Sequence, residues 1–279
     1  MRIRIVVVAL LLVVVAACGS SSGEDSSGPP PEPAALVELW LSATRVPPGD
    51  VELVAMLTER EPVDATFGVG AHVERWVDGS WVAYGSLVMC LDHWFCTAEI
   101  QPPSEQVGGP DIGLGATPEY PGSPERFRTA GLEEGWYRIT HVANEGTVAS
   151  GVFEVSDEAP RPAPLPAVDV VSISVQPALI PSAGRTVMLY PLVPPVNGRR
   201  SGADVEAVVD GLSESATLER WDGAGWAVAG GPMPIRPDPQ GPQSVLVDLP
   251  ALPDGAYRVV ATGSGGPYVG PFWVDSSLP

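Results

Sequence analysis

A serine near the N-terminus has the spacing of a hydrolase nucleophile. Gly19-Ser20-Ser21-Ser22-Gly23 matches the pattern Gly-x-Ser-x-Gly. In hydrolases this pattern forms a sharp turn between a strand and a helix, which exposes the serine oxygen. The sequence predicts neither a strand before this stretch nor a helix after it. We therefore assign no catalytic serine.

The histidines are candidate metal ligands or general bases. His72, His93 and His141 are scattered over strand and loop positions, without the short spacing of a metal motif. Structural roles are therefore favoured for all three. Two carboxylates from distant loops could still act together, because such catalytic pairs need only about 5 to 9 Å of separation in space. With that possibility left open, we predict no metal site, no cofactor and no enzymatic activity.

Cys18 lies at the end of an export signal. Arg2 and Arg4 precede an apolar run from Ile5 to Val15, and the run is too short to span a membrane. Val15-Ala16-Ala17-Cys18 resembles the bacterial lipobox, which implies cleavage before Cys18 and a diacylglyceryl anchor with chains such as palmitate. The alternative is ordinary signal cleavage beside an incidental cysteine. We expect residues 1–17 to be a signal peptide and the mature chain to be lipid-anchored on the extracytoplasmic face of the cell membrane.

Cys90 and Cys96 are the two remaining cysteines. Two cysteines in an exported chain are expected to form a disulfide bond. Because the loop that they close is short, the bond would stabilise the fold by only about 2 kcal/mol. A zinc site is the rival interpretation, but two thiols with His93 between them lack the second pair of ligands that structural zinc requires.

The exported chain is strongly acidic. Loss of Arg2 and Arg4 leaves 13 basic residues against 34 acidic ones, a net charge of −21. Nucleic acids and anionic lipids are poor partners for such a protein. Residues 18–34 comprise Cys18 and the Ser-, Gly-, Pro- and acid-rich stretch from Gly19 to Pro33. This composition predicts a flexible, extended tether.

Two halves of the remaining chain repeat the same short motifs in the same order. The first half contains Glu74-Arg75-Trp76 with Trp81, Gly135-Trp136-Tyr137-Arg138-Ile139, and Gly151-Val152-Phe153-Glu154-Val155. The second half contains Glu219-Arg220-Trp221 with Trp226, Gly255-Ala256-Tyr257-Arg258-Val259, and Gly270-Pro271-Phe272-Trp273-Val274. The repetition predicts two copies of one domain.

Each motif predicts part of an antiparallel sandwich. An Asp-Gly turn between two tryptophans predicts a hairpin, in which the turn adopts positive φ and the two rings pack across the strands. Leu252-Pro253-Asp254-Gly255-Ala256-Tyr257 resembles the tyrosine corner of immunoglobulin-like folds, and 132–137 is the matching copy. No window shows a clean helical pattern, so helix should amount to a turn or two at most.

Together these motifs resemble the bacterial Ig-like domains of surface proteins. The resemblance implies an all-β chain of two tandem immunoglobulin-like β-sandwich domains that follow a lipoprotein signal and a disordered tether. The first domain would span 35–156 and the second 168–275. A Pro-rich linker over 157–167 would join them, because acids and prolines interrupt the pattern there.

Insertions that are specific to one copy are the best indicators of function on a sandwich. Trp76 to Tyr137 is 61 residues, whereas Trp221 to Tyr257 is 36, and the additional residues lie around 89–128. His93, Trp94 and Phe95 form the candidate binding loop there, as aromatic anchors at a disulfide-closed tip. In the alternative, those rings lie in the core. The second copy is ten residues longer before Trp221, around 194–213.

These observations favour a non-enzymatic cell-envelope lipoprotein. Its two Ig-like modules would bind an envelope protein or a cell-wall polysaccharide, or would serve as a surface spacer. The alternative is a sensor or an inhibitor of a secreted enzyme such as a protease. Since sandwiches host unrelated functions, the motifs predict the fold more strongly than the role.

Overall fold

The first half of the chain forms a two-sheet β-sandwich. A computed structural model describes residues 28–32, 35–59, 67–68, 70–88, 97–101, 111–112, 124–143, 146–167, 170–194 and 202–278. The strands of this half are β1 (Val37–Leu41), β2 (Arg45–Val46), β3 (Glu52–Glu59), β4 (Phe67–Gly68), β5 (Gly70–Val77), β6 (Ser80–Val88), β7 (Ala98–Gln101), β8 (Asp111–Ile112), β9 (Glu125–Arg128), β10 (Gly135–Val142) and β11 (Val148–Val155).

The second half repeats this architecture and contains a nine-residue helix. Its elements are β12 (Ser172–Gln176), β13 (Leu179–Ile180), β14 (Arg185–Leu192), α1 (Gly202–Asp210), β15 (Ser215–Trp221), β16 (Trp226–Pro237), β17 (Val245–Leu249), β18 (Gly255–Gly263) and β19 (Gly266–Val274). The nine-residue helix is longer than the turn or two that the sequence predicts. It lies in the segment by which the second copy exceeds the first.

The strand order in the two halves matches when β7 and β6 of the first are taken together as the counterpart of β16 in the second. It runs β1-β3-β9-β7-β6-β5-β10-β11-β2 in the first and β12-β14-β17-β16-β15-β18-β19-β13 in the second. In each half a short strand near the start pairs in parallel with the last strand, β2 with β11 and β13 with β19. Each sandwich encloses its own apolar core. The prediction of an all-β chain with two tandem immunoglobulin-like domains is confirmed.

Alternation of buried and exposed residues along the last hairpin of each domain builds these cores. In β10 the side chains of Tyr137 and Ile139 are buried, whereas Arg138 between them is partly exposed. Tyr137 stacks on Phe153 of β11 with ring centroids 5.7 Å apart, and Tyr257 stacks on Phe272 at 5.5 Å. The period of two expected for a half-buried strand therefore places equivalent rings in both cores.

Both tyrosine corners are present. The hydroxyl of Tyr137 donates to the carbonyl of Glu133 at 3.0 Å, and that of Tyr257 donates to the carbonyl of Pro253 at 2.8 Å. Burial raises the pKa of both phenols, so each remains a donor at neutral pH. The predicted backbone contact of each phenol is confirmed.

Removal of one corner hydroxyl should be measurable. Tyr257→Phe leaves the Pro253 carbonyl without its donor, and we expect the free energy of unfolding to fall by about 1 to 3 kcal/mol in denaturant titration. Tyr268→Phe changes a half-buried tyrosine outside the corner and should have a smaller effect. Equal losses in the two variants would contradict a specific role for the corner bond.

The predicted tryptophan hairpins are also confirmed. Trp76 is the register partner of Trp81, and Trp221 of Trp226. The rings of each pair meet edge to face, with centroids 5.2 and 5.4 Å apart. The first turn has positive φ at Asp78 and at Gly79, 49° and 80°.

Part of the predicted 89–128 insertion belongs to the framework. Strand β9 pairs with β3 as β17 pairs with β14, and Phe127 of β9 is fully buried in the first core. Strand β7 links β9 to β6. These two strands within 89–128 therefore belong to the framework of the sandwich. The additional residues of the first copy therefore lie before and after β7, between β6 and β9.

Candidate binding surfaces

Several predicted site residues lie outside the described residues. Cys18, Cys90 and Cys96 belong to this group, and the candidate binding loop of His93, Trp94 and Phe95 lies there too. Lipidation, the disulfide and the binding tip therefore stay predictions. Thiol titration of the denatured, unreduced protein would test the disulfide.

The two described histidines lie on opposite sides of one sheet. His72 is exposed on β5, whereas His141 is buried on β10 with its ring 5.3 Å from that of Phe67. Among the described residues, no group of His, Cys, Asp or Glu could hold a metal ion. No helix in this part of the chain is long and apolar enough to cross a membrane.

A row of aromatic and charged side chains covers the outer face of the first domain. Arg138 lies over the ring of Trp81 with its guanidinium carbon 4.7 Å from the ring centroid. The same guanidinium pairs with Glu74 at 2.6 Å, and Trp76 meets the edge of Trp81. Although burial lowers the pKa of Arg138, the hydrogen bonds that its guanidinium donates to Glu32 and Glu74 raise it overall. The row therefore keeps a fixed positive charge among its rings.

The second domain carries the same row. Arg258 lies 4.6 Å over the ring of Trp226 and pairs with Glu219 at 2.5 Å. Val228, two residues beyond Trp226 on the same strand, is 74% exposed. Sequence reasoning predicted the tryptophan pairs but missed the arginines. The signal was available, because the residue after the buried tyrosine in Gly-x-Tyr-Arg must point outward.

Residues 28–32, which we name the strap, lie against the first domain. Glu32 pairs with Arg138 at 2.7 Å and also accepts a hydrogen bond from Ser150. Gly28 lies so close to Trp136 that a Cβ there would be 2.8 Å from the ring. The prediction of a free tether over 18–34 therefore does not hold for the strap. An acidic, Pro-rich segment docks here because the sheet offers it an arginine and a half-buried indole.

The strap contact predicts a specific effect of Glu32→Gln. The variant removes one of the two carboxylates that pair with Arg138, and we expect a loss of about 1 kcal/mol in stability. Proteolysis near the strap should become faster. Glu99→Gln, which changes an exposed acid on β7, is the matched control. Unchanged proteolysis in Glu32→Gln would show that the carboxylate does not hold the strap.

The segment that precedes the second domain also contacts the domain that follows it. The carbonyl of Arg161 accepts a hydrogen bond from the indole of Trp221 at 3.0 Å. The carbonyl of Pro166 accepts one from Arg126 of the first domain at 2.8 Å. The Pro-rich linker thus contacts both domains along its length.

A buried apolar joint connects the two domains. Trp40 of β1 packs against Trp273 of β19 with ring centroids 5.7 Å apart, and its indole donates to Asp275 at 2.9 Å. Val54 and Met56 of β3 meet Leu179 in the same cluster, and all three are buried. Burial opposes ionisation of Asp275, but hydrogen bonds from Ser277 and Trp40 lower its pKa overall. The joint therefore combines apolar packing with a charged acceptor for the indole.

Comparison with known proteins gives a similarity of fold only. No protein-family model and no curated protein matches the chain. Among solved structures, the two tandem V-type regions of VCBP3, a v-region-containing chitin binding protein, align over 86% of this chain and 100% of theirs. The identity is 9% and the TM-score is 0.25. The titin domains z1z2 in complex with telethonin align over 86% and 93%, at 10% identity and a TM-score of 0.19. At these values the alignments say nothing about role.

Proposed function

We propose that this chain is a non-enzymatic, lipid-anchored envelope protein that presents its two Ig-like modules as one body to a protein or cell-wall polymer. The buried joint carries the proposal. Modules that act only as a flexible spacer need no apolar contact between them. A joint with Trp40, Trp273 and Met56 buried or half-buried holds the surfaces of the two modules in a fixed relation. Such preorganisation lowers the entropy lost on binding.

The repeated outer faces support a binding role as well. Tryptophan and arginine are enriched at protein interfaces, because they supply apolar area with few rotatable bonds or planar hydrogen-bond donors. Each module carries two half-buried tryptophans and one arginine in equivalent positions. A partner that contacts both modules would bind two surfaces with the same arrangement of tryptophan and arginine side chains. At a net charge of −21 for the mature chain, that partner should be neutral or basic.

The lipid anchor is the first testable part of this proposal. Membrane-extracted protein should give an intact mass that corresponds to a chain beginning at Cys18 with diacylglycerol attached. Cys18→Ala should remove the lipid and abolish cleavage at that position. A soluble form with unmodified Cys18 would refute the anchor but would leave the binding role open.

Capture from envelope extracts tests the binding role. The bait is the exported chain with Cys18→Ser, crosslinked to its partner and compared with the same bait that also carries Trp40→Ala and Trp273→Ala. We expect at least a tenfold loss of captured partner in the joint variant. Val142→Ala, an exposed change on β10, should capture normally. Equal capture by all baits would contradict the role of the joint, and no specific capture would favour a spacer. A secreted hydrolase inhibited by the bait would indicate the inhibitor role.

A further inference from the structure

A cavity of about 630 Å³ lies in the second domain, away from the outer face and the joint. The end of α1 and the turn after it form one wall, including Val209 and Leu212. The end of β16, with Ile235, and the loop that leads into β17 form the other. This volume lies within the range of 300 to 1,000 Å³ that small-molecule sites occupy.

One wall of the cavity, formed by α1 and the turn after it, lies in the segment by which the second copy is longer. Residues 193–214 separate β14 from β15 and contain α1, whereas only residues 60–69 separate β3 from β5 in the first domain. The corresponding connection in the first domain is therefore the shorter of the two. The segment around 194–213 is therefore an addition to a framework that does not require it.

The floor of the cavity, where the two walls meet, is apolar and lies on the core of the second domain. Val209, Leu212 and Ile235 are partly exposed to the cavity and pack against the core of the second domain. Pro237, which adjoins them, is a rigid part of the wall. A floor supported by the core does not need to rearrange when a ligand enters, which favours binding.

Negative charge surrounds this floor. Asp210, Glu214 and Asp238 line the cavity, and none of the described lining residues is basic. Hydrogen bonds from Ser244 at 2.6 Å and from the Gln240 amide at 2.8 Å lower the pKa of Asp238, so this carboxylate stays ionised. The adjacent cation, Arg236, is already paired with Asp248 at 2.7 Å.

We propose that this cavity binds a small organic amine, with its apolar body on the floor and its ammonium group among the three carboxylates. The size of the cavity and its apolar floor indicate a small molecule with an apolar body. The charge of the lining selects a cation over a neutral or acidic molecule of the same shape. The inference is independent of the proposed function, which concerns the joint and the outer faces.

Three probes of one shape test the proposal: 4-phenylbutylamine, 4-phenylbutanol and 4-phenylbutyrate. Binding to the exported chain with Cys18→Ser is followed by calorimetry and by methyl NMR. The amine should bind at least tenfold more tightly than the alcohol, and the carboxylate should not bind. Methyl shifts should centre on Val209, Leu212 and Ile235. Equal affinity for amine and alcohol, no binding of the amine, or shifts centred elsewhere would overturn the proposal.

Variants in which the lining carboxylates are replaced by neutral amides provide a second test of the proposed amine site. Asp210→Asn, Glu214→Gln and Asp238→Asn together should lower the affinity for the amine at least tenfold and abolish its advantage over the alcohol. The matched control neutralises three acids outside the cavity, through Asp204→Asn, Glu206→Gln and Asp222→Asn. An equal loss in the control would mean that only the overall charge attracts the amine, which would overturn the site. A thermal melt establishes that both variants are folded. If the lining variant is unfolded, Asp210→Asn is compared with Asp204→Asn on the same helix.

Discussion

Replacing Phe127 with alanine should lower the free energy of unfolding of the first domain by about 3 to 5 kcal/mol. Phe127 is fully buried, and its ring lies 6.2 Å from that of Phe153, which stacks on Tyr137. Truncation would remove a fully buried ring from the end of this aromatic cluster and leave a void. Because neighbours on both sheets are held by their strands, the void cannot close by a local shift.

Arg128→Ala is the control for this variant. It changes a neighbouring, largely exposed side chain on the same strand. Urea titration of both variants should show a large loss for Phe127→Ala and a change within about 0.5 kcal/mol for Arg128→Ala. A small loss in both would mean that β9 belongs to a dispensable insertion, as its position within 89–128 suggests from sequence alone.

Disruption of the joint should separate the unfolding of the two domains. Trp273 is 3% exposed and contacts Trp40 from the other domain. Trp273→Ala should remove about 3 to 5 kcal/mol of packing free energy. We expect the intact chain to unfold in one calorimetric transition and the variant in two. Each domain keeps its own core, so the variant should retain its β-sheet circular dichroism.

Trp226→Ala is the control for Trp273→Ala. It removes a ring of the same size from a place outside the joint. Trp226 is half-buried on the outer face and packs against Trp221 of its own hairpin. The variant should lower the stability of the second domain and leave the two domains coupled. Trp40→Phe isolates the indole bond to Asp275, and we expect a smaller loss from it. One transition in Trp273→Ala would contradict coupling through this cluster.

The features that sequence predicted are local. The tryptophan hairpin depends on residues five apart, and the tyrosine corner joins Tyr257 to a carbonyl four residues upstream. Turn chemistry and strand alternation act at that range, so the motifs alone indicate the contact. Their repetition in the same order then predicts two domains.

The features that sequence missed depend on distant contacts. Glu32 and Arg138 are 106 residues apart, and Trp40 and Asp275 are 235 apart. An acid in a Pro-rich stretch indicates a tether when its partner is unknown. A tryptophan on an opening strand indicates a core residue. Only the arrangement of strands shows that Glu32 reaches Arg138 and that Trp40 contacts the second domain.

Strand β9 was missed for a different reason. The insertion was measured between two motifs, and β9 carries no motif of its own. Its sequence, Glu125-Arg126-Phe127-Arg128, has a single apolar residue among charges. Arg126 is buried and pairs with Glu52 at 2.7 Å, which the composition of the strand does not suggest.

The strap also determines how the protein would respond to mechanical force. Residues 18–28 span at most about 35 Å when extended, so a lipid-anchored chain would hold its first domain close to the bilayer. Tension applied at the N-terminus reaches Glu32 and its contacts with Arg138 and Ser150 before it reaches the β1–β3 ladder. Peeling of residues 28–36 would release about 30 Å of slack while both sandwiches stay folded. The strap would thus lengthen under tension and delay the transfer of force from the membrane anchor to the two folded domains.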